Sequence, residues 1–558
     1  MSKTPPRRPH PAGFVFCFGP CVLEYGPMAI LQITPLAPVY VLLLSATLIL
    51  VAGPTLAARR HWLMVAGSAL AVFGLLSAQR LSGGAPSLHV LTEWLGEPAL
   101  VVRAVPFEPF LWVLMLSLLA ISLAERETVQ RLLSPLDYPA LSQVMLFVLT
   151  AAASGVILAG TYRSLAFALL VFDGAAALSW LAAQRPGAAV GRVWLGILSS
   201  ACAIALAGGV DRPSPGPLEL GGLFSLTIWL RLGFYPLVEG DAPGESLPVR
   251  LGWMVANLAA GLYLASAGVA AWVVWLAGAT TLLHGILAWL EPSRERALAH
   301  VGYALAGGIL VMTAISGDRA AGVAASLSAL AALAALELTP PRVGRLDLHR
   351  PQRAWVYLPP LLATATLAGL PFTLGWAGRG ALYGAAWESG SPGTLALAVV
   401  AEGAALSVLY HVWRGLPRGE PAEAARIWRP LGAALAAIPF LIPAAGPRLL
   451  QSAGVGGGTG NGLPQPLSAA LGLVGALLWA VFLGYGRPRL LDVMPFSRAG
   501  ALSALRLGWL LGSLGRALDT LSRIVLRLRA VVEGEHYLAW AILLALGLSL
   551  LIALGALR

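Results

Sequence analysis

LLATATLAGLPFTLGWAGRGALYGAAWES, residues 361–389, is apolar for longer than a bilayer is thick, yet it carries Gly369, Pro371 and Arg379. About 20 apolar residues cross the hydrocarbon core as a helix. Pro371 lacks an N–H and clashes with the turn before it, so a helix running through this stretch must break there. Broken backbone is tolerated at membrane depth only against protein or a water-filled cavity. Arg379 follows the break, and an ionisable group at that depth is expensive enough to be a functional candidate by default.

The rest of the chain repeats this character. Of its 558 residues, 58% are hydrophobic and 11% charged, and mean hydropathy is +0.78. Soluble domains carry roughly 25% charged residues, so a water-soluble enzyme and a disordered chain are both excluded. Apolar runs recur along nearly the whole length, which excludes a single membrane anchor. The short alternating segments of a membrane barrel are missing. The composition predicts an all-α polytopic membrane protein with about sixteen transmembrane helices. These fall near 36–57, 62–79, 105–124, 140–159, 163–183, 189–208, 221–239, 249–268, 270–290, 297–316, 319–338, 355–388, 393–413, 427–445, 467–485 and 535–556. Residues 80–104 read as a longer extramembrane loop, and 452–465 as a glycine-rich one.

Net charge is +11, and Lys3 is the only lysine among 37 basic residues. Nucleic acid is excluded as a partner, because the arginines cluster in alternate loops. The even-numbered loops hold only Arg80, Arg103, Arg163, Arg212, Arg319 and Arg448. The positive-inside rule therefore predicts both termini outside a bacterial plasma (inner) membrane and the odd loops in the cytoplasm. Cys17, Cys21 and Cys202 complete no metal spacing with histidines, so no disulfide framework, metal site or cofactor site is assigned to this chain.

The chain divides at its composition shifts. Residues 1–27 are Pro-rich, basic and then briefly apolar, and read as an extended gene start or a tail outside the core. Residues 28–139 are N-terminal helices. Residues 416–498 add C-terminal helices, and 535–558 form a terminal span. Between these, 499–534 interrupts leucines with Arg506, Arg516, Arg523 and Arg527, which suits an amphipathic helix along the cytoplasmic face.

Two further stretches join 361–389. One is WLRLGFYPLVEGDAP, residues 229–243, where Pro236 breaks a second apolar segment and Arg231 lies just before it. The other is EPSRERALAHVGYALAGG, residues 291–308. Together they resemble the antiporter-like membrane subunits of NADH–quinone oxidoreductase, membrane-bound hydrogenases and multisubunit Na+/H+ antiporters. Leu367-Ala368-Gly369-Leu370-Pro371 followed by Gly375 and Gly378-Arg379 is similar to the family's S-L-A-G-I-P-P and G-F-x-G-K. Arg231 and Pro236 keep the family's Lys-to-Pro spacing. Arg296, Leu298, Ala299 and Gly307 match its K-R-x-L-A-Y-S-S stretch, with His300 where the family has tyrosine. The resemblance implies two inverted repeats with broken helices, residues 140–290 and 291–415. It also implies that ions cross at the breaks.

By that resemblance Asp173 stands for the family's essential Glu and Arg231 for its pumping Lys. Asn257 stands near the next Lys or His, and Arg379 where the family has Lys or Glu. Glu402 is a further buried carboxylate with no evident sequence partner. His284 reads either as a proton-wire member or as a hydrogen-bonded core histidine. The departures have a chemical consequence: a buried lysine can release a proton near neutrality, whereas arginine stays protonated. The expected function is a membrane-arm subunit translocating protons in a redox-driven complex. Flavin, iron–sulfur or nickel centres would belong to partner subunits, with quinone possible in a neighbouring one. The alternatives are a degenerate, non-pumping structural subunit of the same complex and a stand-alone secondary transporter.

Overall fold

A computed structural model describes residues 34–52, 60–81, 87–94, 97–104, 108–123, 139–182, 217–232, 247–265, 269–317, 319–338, 351–370, 373–388, 392–414, 466–493 and five isolated positions between 500 and 524. The chain separates into two units, 1–237 with 241–486, and 238–240 with 487–558. Nearly all described residues belong to the first, which is treated below.

The helices are α1 (Ala37–Ala52), α2 (Arg60–Leu81), α3 (Pro109–Leu123), α4 (Pro139–Leu158), α5 (Tyr162–Ala182), α6 (Pro217–Leu232) and α7 (Leu247–Ala265). They continue with α8 (Ala271–Leu290), α9 (Arg294–Ser316), α10 (Arg319–Leu338), α11 (Pro351–Leu367), α12 (Leu374–Glu388), α13 (Pro392–Arg414) and α14 (Pro466–Val493). Four described helices are long and apolar enough to cross a membrane: His61–Arg80, Tyr162–Ser179, Ala271–Leu290 and Arg296–Ser316. The predicted spans at 189–208, 427–445 and 535–556, most of the amphipathic segment 499–534, and the tail 1–27 lie outside the described residues.

Two predictions are corrected. Residues 80–104 are not a plain loop, and the fold is not purely helical. An antiparallel hairpin, β1 (Ser87–Trp94) and β2 (Glu97–Ala104), follows α2. Leu88, Val90, Val101 and Val102 supply the alternating β-branched and apolar side chains a strand pair favours, a short pattern masked by the stronger helical runs beside it. The hairpin is tied to the bundle by backbone and side-chain bonds. Gly160 N–H donates to Val101 O at 2.9 Å, and Val101 N–H donates to Ser164 Oγ at 2.7 Å. The segment 355–388 is interrupted, as a helix carrying Pro371 requires: α11 and α12 are separated by a turn at Ala368–Gly369.

Two apolar clusters fill the interior. The first gathers α1 to α7, and the second gathers α9 to α14. Helices α8, α9 and α10 contribute to both, for example Val273, Leu310 and Leu330 to the first and Ala288, Leu305 and Leu333 to the second. They form the wall the two clusters share. Hydroxyls inside the bundle are satisfied by their own helix: Thr150 donates to Leu146 O, Thr281 to Ala277 O and Ser326 to Gly322 O. That lets polar side chains sit among alanines and leucines at little cost. Outward faces carry Leu44, Val51, Phe73, Trp275, Leu178 and Phe482, each more than half exposed. Such continuous apolar surface suits lipid or partner helices rather than water.

Candidate functional site

Helix α5 carries Asp173 in an apolar run whose outward face holds Phe167, Leu170 and Leu178. The carboxylate therefore points inward, and only 5% of the residue is exposed. Arg231 stands in the last turn of α6, where the helix dipole favours a cation. It is 2% exposed. Its Nη1 donates to Asp173 Oδ1 at 2.6 Å and its Nη2 to Oδ2 at 2.5 Å. This two-point fork is the strongest carboxylate geometry available to an arginine. Pro236 lies outside the described residues, so the reading of a break there has no structural description.

The interruption after α11 is described in detail. Leu370 N–H donates to Ala365 O at 3.0 Å and Gly369 N–H to Thr366 O at 3.1 Å. These are the two bonds of a Schellman cap, with Gly369 at φ 66° in the left-handed position it needs. Thr373 then caps α12: its Oγ accepts from Trp376 N–H at 3.2 Å. The Leu367 carbonyl at the end of α11 is taken by Arg379, whose Nη2 donates to it. Pro371 itself lies outside the described residues.

Gly375 and Gly378 of the quoted stretch are explained by close approach. A Cβ on Gly375 would fall 1.9 Å from Thr366 O, and one on Gly378 would fall 2.3 Å from the Ala325 backbone nitrogen. Helix α12 is thus pressed against α10 and the end of α11, which aims Arg379 at the break and at α13.

Glu402 on α13 meets that arginine. Arg379 Nη1 donates to Glu402 Oε2 at 3.2 Å, and the Tyr383 hydroxyl donates to the same oxygen at 2.6 Å. All three residues are buried. Glu402 has no evident partner in the sequence, because Arg379 and Tyr383 reach it across helices. Tyr383 was not recognised from sequence; one helical turn after Arg379, it shares that residue's face, and this was the available signal.

The same bundle holds further buried polar groups. His284 on α8 and His300 on α9 bring their Nδ1 atoms to 2.9 Å. Their exposures are 0% and 1%. The close approach of α8 and α9 is permitted by Gly307, where a Cβ would meet Ala277 O at 2.8 Å. Beside them is a cavity of about 20 Å³ lined by Arg231, Met254, Asn257, Gly302, Tyr303 and Leu330. Asn257 is 1% exposed, and its amide oxygen and nitrogen make no hydrogen bond to any described residue. Roughly 10–15 Å³ holds a water, so the cavity has room to satisfy that amide. His300 was read from sequence only as a departure from a motif, and Tyr303 was not singled out.

The structure thus brings Asp173 to Arg231, Arg379 to Glu402, and His284 to a second histidine. Asn257 shares the cavity with Arg231. Among the described residues no three His, Cys, Asp or Glu side chains gather as a metal ion would require.

No protein-family model and no curated protein matches this sequence. Solved structures do match. A chain of the membrane-bound sulfane sulfur reductase, an archaeal respiratory membrane complex, is similar at TM-score 0.63 and 18% identity, covering 94% of this chain and 100% of that one. A chain of respiratory complex I from Thermus thermophilus gives 0.50 at 18% identity, covering 81% and 98%. A chain of the Mrp complex from Dietzia sp. gives 0.51 at 19% identity, covering 86% and 98%. At these identities the likeness is one of fold. The chain is an integral membrane protein folded like the membrane subunits of respiratory and Mrp complexes.

Proposed function

We propose that this chain is an antiporter-like membrane-arm subunit that passes protons across the bilayer in a redox-driven complex, with electron transfer confined to partner subunits. One observation carries this reading. Two buried arginine–carboxylate pairs, one on α5 and α6 and one on α12 and α13, share one helical bundle with two buried histidines and with a water-sized cavity lined by Arg231 and Asn257. Buried charge is costly, and apolar packing would be at least as stable, so a chain that keeps such a series uses it. We read residues 140–290 and 291–415 as the two inverted repeats. The arginines supply fixed fields, while Asp173, Glu402, His284 and water move protons.

One observation favours a second reading, a structural subunit that conducts nothing. Both cations in the pairs are arginines hydrogen-bonded to their carboxylates, and neither releases a proton. The first test is composition. The full chain is tagged at its native locus, the intact complex is purified from native membranes, and its subunits are identified by mass spectrometry. Co-purified flavin, iron–sulfur or nickel subunits support the redox assignment. Recovery with small membrane subunits alone points to an antiporter assembly and overturns it. Recovery of the chain by itself would reopen a stand-alone transporter.

A further inference from the structure

We infer that His284 and His300 act as one unit, a histidine pair sharing a single proton that relays protons between the Asp173–Arg231 end of the site and the Glu402 end. This rests on the proton-passing reading above and names the carrier that stands in for the lysines the chain lacks.

The geometry sets the chemistry. The contact is between Nδ1 and Nδ1 at 2.9 Å, a hydrogen-bond distance. Such a bond needs one proton between the rings. Two bare nitrogens, or two N–H groups, would repel. The pair is therefore locked into opposite tautomers: one ring is Nδ1–H with a bare Nε2, and the other accepts at Nδ1 and carries Nε2–H. The rings sit 5.0 Å apart at 47°, a tilted arrangement consistent with an edge-directed bond. Neither histidine is a plain packing residue. Both are on helix faces buried against other helices, and His284 Nε2 has no hydrogen-bond partner among the described residues.

Either ring can hold the shared Nδ1 proton; with it on His284, the bare His284 Nε2 is ready to accept. A proton delivered to His284 Nε2 makes a transient imidazolium. The Nδ1 proton crosses to His300 Nδ1, and His300 releases its Nε2 proton. One proton enters, one leaves, and both tautomers are exchanged. No oxidant or co-reactant is needed. A second proton in the same direction requires the tautomers to reset, so the pair passes single protons and cannot act as an open channel.

His284 has neighbours leading toward both ion pairs. The His284 ring lies 5.2 Å from the Tyr303 ring. Tyr303 lines the cavity that Arg231 and Asn257 border. In the other direction Thr281, one helical turn before His284, faces Gly307 and Gly308, and a Cβ on Gly308 would lie 3.9 Å from Glu402 Oε1. No arginine takes part in the proton movement, which removes the difficulty that guanidinium groups pose.

The test has two parts. The full chain is labelled with 15N-histidine and placed in lipid nanodiscs. The expected spectrum shows one protonated and one bare Nδ1 with scalar coupling across the N–H···N bond. It disappears in His300→Gln. Two rings that are both protonated only at Nε2, with no coupling, overturn the proposal. In the second part the tagged complex, reconstituted in liposomes with a pH-sensitive dye, is driven by its own electron donor. His284→Gln and His300→Gln are expected to lower proton uptake at least tenfold while subunit composition stays unchanged. Wild-type uptake in both variants overturns the histidine relay and leaves the proton-passing function standing. No uptake by the wild-type complex overturns both. If a variant fails to assemble, the spectrum of the unmodified chain still decides.

Discussion

Replacing Asp173 by leucine leaves a guanidinium at 2% exposure with its two-point partner gone. Breaking a buried pair on one side costs about 3–5 kcal/mol, because the remaining charge stays desolvated. Arg231→Met, made alone, strands the carboxylate and costs a similar amount. Making both changes removes both charges, and apolar replacement of a whole buried pair ranges from neutral to about 1–4 kcal/mol stabilising. The double variant should therefore unfold near the wild-type midpoint or above it, with a coupling energy of at least about 3 kcal/mol. The assay is denaturant titration of the full chain in mixed micelles, followed by fluorescence of its 18 tryptophans. Proton passage should be absent in the double variant despite restored stability. Single effects that add to within about 0.5 kcal/mol would show that the two residues do not share an interaction, and would refute the geometry on which the site is built.

Tyr383→Phe deletes the 2.6 Å donor to Glu402 and should cost about 1.5–3 kcal/mol, read in the same titration. Gly369→Ala places a Cβ at φ 66° beside Arg379 and should cost about 1–2 kcal/mol, with amide exchange quickening at Leu370 as the α11 cap loosens. Gly378→Ala drives a methyl into the backbone of α10 and should destabilise by about 1–3 kcal/mol, whereas Gly174→Ala meets nothing and should stabilise α5 by about 0.5–1 kcal/mol. Ser164→Ala removes the hairpin's tie to α5, so the Val101 amide should exchange faster while the titration midpoint moves by about 1–3 kcal/mol.

Long apolar runs made most of the helices legible. The ends of α8 and α10 fall within one residue of their predicted positions, because a bilayer-length run between polar loops has few other solutions. The break in 355–388 was legible from Pro371, but its construction was not. A Schellman cap, a threonine N-cap and an arginine on an orphan carbonyl depend on the turn actually formed. The hairpin was missed because eight-residue strands carry a weak period beside strong helical ones. At the site, Asp173 and Arg231 were paired in advance by resemblance, while the partners of Glu402 and His284 were not. Those contacts join α12 to α13 and α8 to α9, and helix rotation, which sequence spacing leaves open, decides them.

The measurement that bears most directly on the proposed function is the ratio of protons moved to electrons transferred by the intact complex, compared between wild type and Asp173→Asn at matched subunit composition. A proton-passing subunit predicts that the variant keeps electron transfer and loses a fixed share of the protons. An unchanged ratio in a fully assembled variant would contradict proton passage through this chain and leave it a structural member of its complex.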